Sequence, residues 1–240
     1  MSWPHKNPPN GLHRKSLQNR HISISGAQSW ILSFYVLLCI VGQNYGCDEE
    51  NLPNSVKKLC LCANQTTLDC RHLNSTRIFQ IPTSTANDLS NFHSNVNPFK
   101  SVHNLKITDS EIKCLNYHDL KRFSSLISLS VTSSGLKNLF CQQPPTKTNI
   151  FGGQLKHLNL ARNKLTELKS VDFKSLKYLQ ELNASQNAIQ RISSRLFVHM
   201  KKLKVLDLSD NKLDENLQPS VLESLPKHMS YLDISSKYPQ

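Results

Sequence analysis

From residue 102 onward, apolar positions recur in one pattern: two leucines three apart, another two further on, then an asparagine and a final aliphatic residue. It reads Leu155, Leu158, Leu160, Asn163, Leu165; then Leu179, Leu182, Ala184, Asn187, Ile189; then Leu203, Leu206, Leu208, Asn211, Leu213. These copies start 24 residues apart. Weaker copies stay in frame: Val102, Leu105, Ile107, Ser110, Ile112, Leu115, and Leu126, Leu129, Val131, Ser134, Leu136, Leu139. The next step is 29 residues, so five extra residues fall in the stretch Phe140–Gly153, which carries Pro-Pro and Gly-Gly turn signals. A last copy begins at Met229, with Leu232 and Ile234, but Lys237 holds the asparagine position and the chain stops at Gln240. That last rung is expected to be truncated.

Within each copy, alternation over the middle positions predicts a short strand, with Leu158 and Leu160 inward and Asn159 outward. The turn that follows leaves backbone groups in need of partners, and an amide side chain can both donate and accept. Asn163, Asn187 and Asn211 are therefore expected to form an internal ladder, one per rung. Ser110 and Ser134 fill that role less well, which predicts looser rungs. Phe173 and Phe197 match in the return segment and should fill the wide side of each coil. All of these leucines are read as scaffold.

A period between 20 and 29 residues with this spelling resembles the leucine-rich repeat. The resemblance implies an α/β solenoid over 102–240, about five full repeats plus one truncated. Its curved parallel sheet lies on the concave side, with turns or short helical pieces outside. Such solenoids offer extended concave surfaces for binding.

Residues 1–46 do not follow the pattern. A polar lead carrying Lys6, Arg14, Lys15 and Arg20, with no acids, precedes an apolar run over Trp30–Val41. This predicts a secretory signal peptide, with a signal anchor as the alternative; the run is short for a membrane span, which needs about 20 residues. Cys39 lies in that run, leaving an even six cysteines beyond it. Cys47, Cys60, Cys62 and Cys70 cluster ahead of the repeats. Zinc is the competing reading, but no second suitably spaced element accompanies them. In an exported chain disulfides are favoured.

The cluster Cys60-Leu-Cys62 with Cys70 beyond, followed by Ile81-Pro82, resembles the N-terminal cysteine cap of extracellular leucine-rich-repeat proteins, a group including Slit-like guidance proteins, neurotrophin and Toll receptors and small proteoglycans. The resemblance implies a cap over 47–82 paired Cys47–Cys62 and Cys60–Cys70. The interval from Cys47 to Cys60 is longer than the family usually shows, and 83–101 forms an Asn/Ser-rich connector, expected to be irregular. Cys114 and Cys141 occupy outward-bulging positions of neighbouring repeats; a bridge between them and a pair of free buried thiols are both open readings.

Export gives meaning to three sequons, at Asn64, Asn74 and Asn183. The last sits between two inward positions and so projects onto the concave face. Either it is unmodified, or ligands bind elsewhere. Other outward positions are chemically mixed; the candidates for binding are His157, Asn159, Arg162, Glu181, Asp207 and Tyr231. Arginine and aromatic side chains dominate protein-binding hot spots, and only Arg162 and Tyr231 qualify.

Charge adds one idea. All 17 acids follow residue 46, while four of the 29 bases precede it, leaving 25 bases against 17 acids, a net +8. Basic residues recur near repeat ends: Lys121, Arg122, Lys174, Lys177, Lys201, Lys202 and Lys227. Stacked rungs would turn them into a ridge suited to a sulfated glycan or acidic protein; a merely solvated face is the alternative. Nucleic acid is not expected for an exported chain, and membrane attachment is left open. The histidines show no paired metal spacing, and no nucleophile elbow or phosphate loop appears, with seven glycines in all. No cofactor or catalysis is expected. The sequence thus predicts an extracellular recognition module, secreted or at the outer face of the plasma membrane, binding a protein ligand as part of a receptor or adhesion protein. The alternatives are a secreted matrix component or the targeting arm of an extracellular enzyme.

Overall fold

The computed structural model describes residues 47, 52, 54–74, 97–142, 153–213 and 219–236. The leader 1–46, the pair Ile81-Pro82, residues 83–96 of the connector and Lys237 lie outside these.

A short helix α1 (Asn54–Lys57) leads into β1 (Cys60–Asn64) and β2 (Thr67–Arg71), an antiparallel hairpin. Thereafter each repeat contributes one strand to the same sheet: β3 (Asn104–Thr108), β4 (Ser128–Thr132) and β5 (His157–Asn159). Then follow β7 (Glu181–Asn183), β9 (Val205–Asp207) and β10 (Tyr231–Asp233). From β2 onward every pairing is parallel and in repeat register, so Leu68, Leu105, Leu129, Leu158, Leu182, Leu206 and Leu232 stand in one row. The return sides hold α2 (Tyr117–Leu120), α3 (Ser170–Phe173), a 3-10 turn at Phe197–His199 and α4 (Pro219–Glu223). They also hold a feature the apolar pattern did not announce: a two-stranded parallel sheet of β6 (Glu167–Leu168) and β8 (Arg191–Ile192). This is an α/β leucine-rich-repeat solenoid.

The inward side chains form one continuous core in which each rung covers the last. Leu206 and Leu208 are 1% and 2% exposed, whereas the equivalent Leu232 in β10 and Ile234 just after it are 43% and 42% exposed. The residues are of the same kind; the difference is that no described rung follows β10. A fully buried leucine is stabilised by roughly 2–3 kcal/mol over an exposed one, so the stack stabilises each coil through its neighbour. Phe173 and Phe197 are buried in the return segments. Phe99 and Phe123 pack with ring centroids 4.8 Å apart, and Phe99 is wholly buried. It stands three residues before Val102, as Phe123, Leu176 and Met200 stand before their own repeats. Residues 97–101 of the expected irregular connector therefore form a turn that shares the repeat's register, because Phe99 has the core position to fill.

Cys47 is bonded to Cys62 and Cys60 to Cys70, so the solenoid carries a disulfide-bonded N-terminal cap. Cys60 and Cys70 face each other across the hairpin, and β2 continues the sheet as a rung ahead of the first repeat. Cys114 and Cys141 are also bonded, 27 residues apart in sequence; closing a loop of that size removes about 3–4 kcal/mol of chain entropy from the unfolded state. The bond sits beside the isolated bridge between Leu115 and Phe140, clamping two rungs before the insertion.

Inside the coil, Asn163, Asn187 and Asn211 repeat one arrangement. Asn211 Oδ1 accepts the Ile189 N–H at 3.0 Å, and its Nδ2 donates to the carbonyls of Ala184, Leu208 and Ser209. Asn187 does the same for Leu165 N–H and the carbonyls of Leu160, Ala184 and Ser185. Asn163 accepts from both Ser134 and Leu136 N–H and donates to Val131, Leu160 and Ala161. Each amide thus ties its own turn to the rung before. Ser134 Oγ donates at 2.7 Å to its own turn at Thr132 and only at 3.5 Å to Ile107 of the previous rung. Ser110 Oγ donates to Thr108 and accepts the Leu73 N–H.

Two predictions follow from this packing. Asn211→Ala strands a buried N–H and carbonyls at once, so it should lower unfolding stability by roughly 2–4 kcal/mol, against about 1 kcal/mol for Ser134→Ala. Equal losses in guanidinium denaturation would contradict the bridging role. The second concerns Asp172, buried in α3. Desolvation by burial, opposed by Lys169 and aided by Glu167, raises its pKa from 3.8 to about 6. Between those values the folded state holds a proton that the unfolded chain has released, so stability falls as pH rises from about 4 to 6 and levels off above. Asp172→Asn should abolish that slope and gain roughly 1–3 kcal/mol over wild type at pH 7.5, with little gain at pH 4; denaturation at the two pH values measures it.

Candidate functional site

The outward side of the inner sheet carries two ranks of very different character. The first is set by Asn159, Asn183, Asp207 and Asp233, which face one another in the ladder. Each Oδ1 accepts the backbone N–H two residues on, from Ala161, Ser185, Ser209 and Ser235, at 2.9–3.0 Å. Ser185 and Ser209 add their hydroxyls to the same oxygens. These Asx turns end the strands after three residues, whereas β3 and β4, with Lys106 and Ser130 in that place, run for five. After β2, β3, β4, β5, β7 and β9 the chain passes through a left-handed residue: His72, Asp109, Ser133, Arg162, Gln186 and Asp210 all have φ between 48° and 58°.

The second rank consists of the first strand positions: Thr67, Asn104, Ser128, His157, Glu181, Val205 and Tyr231. Its C-terminal half lines a concave groove of about 600 Å³, with Ser128, His157, Glu181, Val205 and Tyr231 on one row and Asn159, Asn183 and Asp207 on the next. His157 Nδ1 lies 2.8 Å from Glu181 Oε2 on the adjacent rung. The Tyr231 hydroxyl donates to Asp233 Oδ2 at 3.2 Å. That bond and the charge of Asp233 hold the phenol pKa above its ordinary value. The hydrogen bonds from Ser235 keep the Asp233 carboxyl below its own.

Five of the six expected binding residues meet in this groove: His157, Asn159, Glu181, Asp207 and Tyr231. Arg162 does not. It holds the left-handed turn position, and its Nε donates to Gln186 Oε1 on the next rung at the exit edge of the sheet. Asn159 and Asp207 reach the groove with one oxygen already committed to the turn. The signal that sequence reasoning missed was an Asn or Asp between two inward residues, three times followed by Ser at the second position, on four successive rungs.

The sequon residues stand apart. Asn64, on the tip of the cap hairpin, and Asn74, beyond it, are exposed, and Asn64 Oδ1 accepts from Thr66 N–H and Oγ1. Asn183 is half-buried in the groove. Of the expected basic ridge, Lys177, Lys201 and Lys227 stand two residues ahead of a repeat start and Lys202 one residue ahead. Lys121 and Lys174 cap the ends of α2 and α3 instead. Half-buried Arg122 gives its carbonyl to Asn97. Among the described residues no group of three His, Cys, Asp or Glu side chains is placed to hold a metal ion, and no helix is long and apolar enough to cross a membrane.

A family model described as "Leucine rich repeat" matches residues 153–213, and another of the same description matches 202–225. No curated protein matches the chain. Among solved structures it is similar to a chain of the Toll–Spatzle complex of Drosophila, at 24% identity over 60% of this chain, with a TM-score of 0.46. The glycosylated form of that complex matches at 25% identity over 57%, with a TM-score of 0.48. This chain spans 19% of the length of either. The in-register parallel rungs, the asparagine bridges, the bonded cysteines and the matched repeats together give the described residues a leucine-rich-repeat fold with a disulfide-bonded N-terminal cap.

Proposed function

We propose that this chain is the ligand-binding part of an extracellular recognition protein, and that its concave groove receives a protein ligand. One observation carries the reading: the rank His157, Glu181, Val205, Tyr231 lines a groove with no side-chain bond to the backbone found among the described residues, its polar members bonding only to side chains, His157 with Glu181 on the next rung and Tyr231 with Asp233. Its neighbours on the same face are occupied with the backbone. A row of dissimilar side chains, not engaged with the backbone and set on a rigid sheet, is the arrangement that supports specific recognition. An aromatic at one end and a His–Glu pair at the other provide an anchor and a polar contact. The three disulfides found among the described residues fit an oxidising compartment.

The reading also accounts for the sequon at Asn183. Its serine, Ser185, closes the Asx turn with both N–H and hydroxyl, as Ser209 does for Asp207, where no sequon arises. The Asn-Ala-Ser spelling is thus a product of the turn, and a glycan there would fill the groove.

The test is to display the secreted chain against an array of purified extracellular domains, beside a His157→Ala/Glu181→Ala/Tyr231→Ala variant. Binding should be lost by the variant, on the order of a hundredfold or more, while its thermal unfolding stays near wild type. A partner bound equally by both proteins would move the site off the groove. Peptide mapping of secreted material should find glycan on Asn64 and Asn74 and none on Asn183; full occupancy at Asn183 would remove the groove as a binding site.

A further inference from the structure

We infer that the edge along which the chain enters the inner sheet is a binding strip for a sulfated glycan. The four residues leading into β5, β7, β9 and β10 read Gly-Gln-Leu-Lys (153–156), Lys-Tyr-Leu-Gln (177–180), Lys-Lys-Leu-Lys (201–204) and Lys-His-Met-Ser (227–230). They hold six lysines and no acid. All six, Lys156, Lys177, Lys201, Lys202, Lys204 and Lys227, are exposed. None takes part in an ion pair found among the described residues.

The backbone stacks these segments directly. Gln180 N–H donates to Lys156, Lys204 N–H to Gln180 and Ser230 N–H to Lys204, each at 2.8 Å. Strand spacing of about 4.8 Å spreads the four stacked segments, and their six lysines, over roughly 15 Å of the sheet edge. Uncompensated like charges so close repel one another, and a linear polyanion relieves that repulsion while releasing its own counterions. The strip is narrow. Its inner neighbour is the concave face with Glu181, Asp207 and Asp233, which a flat anionic membrane would also have to approach. A single extended chain can lie along the lysines without meeting them.

Tyr178 argues for sugar. It sits between Lys177 and the buried Leu179, and is 57% exposed with no hydrogen bond or ring contact of its own among the described residues. An exposed ring beside lysines offers an apolar face to a pyranose ring while the cations take the sulfates. The disulfides place the chain where sulfated polysaccharides, rather than nucleic acids, are the linear polyanions at hand.

The experiment compares the secreted full chain with three variants on immobilised heparin across salt concentrations. In Lys177→Gln/Lys201→Gln/Lys202→Gln/Lys204→Gln, affinity near 0.15 M salt should fall on the order of tenfold or more, and the slope of log affinity against log salt should become shallower. An equal charge removal at exposed positions beyond the strands, Lys113→Gln/Lys137→Gln/Lys164→Gln/Lys212→Gln, should leave affinity within about twofold of wild type. Tyr178→Ala should weaken binding several-fold with the salt slope unchanged, and desulfated heparin should not be retained. The strip is overturned if the two lysine sets lose affinity equally. The assignment to a glycan is overturned if a single-stranded oligonucleotide of matched charge, or phosphatidylserine vesicles, bind as tightly as heparin. Neither outcome touches the groove substitutions, so this inference and the concave reading fail separately.

Discussion

The stack depends on a side-chain amide doing what the backbone cannot do at a tight inward turn. A coil that reverses inside an apolar core must bury peptide groups, and each unsatisfied one costs on the order of 1–3 kcal/mol. Asn187 and Asn211 each answer four such groups, and in both cases some belong to the previous rung. The bond that closes one coil is therefore also the bond that seats it on its neighbour. Leucine burial then follows, because the coils are already held at the spacing where their side chains interlock. Where serine replaces asparagine the bridge thins, and the structure has a Cys114–Cys141 bond across those same repeats. A covalent clamp thus lies where the polar one is weakest.

The turn has an outer partner as well. Asn159, Asn183, Asp207 and Asp233 each catch an N–H on the concave side, and on the first three of these rungs a left-handed residue, Arg162, Gln186 or Asp210, follows before the inner asparagine. Holding a residue other than glycine in that region costs of order 1 kcal/mol or more. The side-chain hydrogen bonds on either side compensate for it. The outer Asn or Asp oxygen that catches the turn explains why the C-terminal rungs have short strands and sharp exits, while β3 and β4 run on.

Much of this was legible in the spacing of apolar residues, because burial here is strictly periodic: Leu158, Leu182 and Leu206 are inward by the same arithmetic that makes them spell a repeat. The inner asparagines were legible for the same reason. Outward positions were harder. Asn159 and Asp207 look like ligand contacts from their place on the strand, and only the backbone path shows that one oxygen of each is engaged. Arg162 looked like an anchor by residue type, but a residue just past the strand is carried to the sheet edge by its positive φ. The small sheet of β6 and β8 left no sign, since two-residue strands are too short to show alternation. Phe99 lay in a stretch dominated by Asn and Ser, and its register with Phe123 emerges only once the rungs are stacked.

The division of labour that results limits where function can reside. Inward positions are fixed by packing, the Asx rank and the left-handed residues by the turn, and the inner asparagines by the bridge. What remains in each repeat is the first strand position and the residues just ahead of it. Both sets are uniform in backbone and varied in side chain: His157, Glu181, Val205 and Tyr231 in one, Lys156, Tyr178, Lys202 and His228 in the other. Changing a side chain there leaves the Asx turns and the inner asparagine bridges intact, so these positions are free to carry different chemistries on the same scaffold. The one set faces into a groove with carboxylates, the other lies along a cationic edge, and a bound partner can meet either without competing for the residues that keep the coils in place.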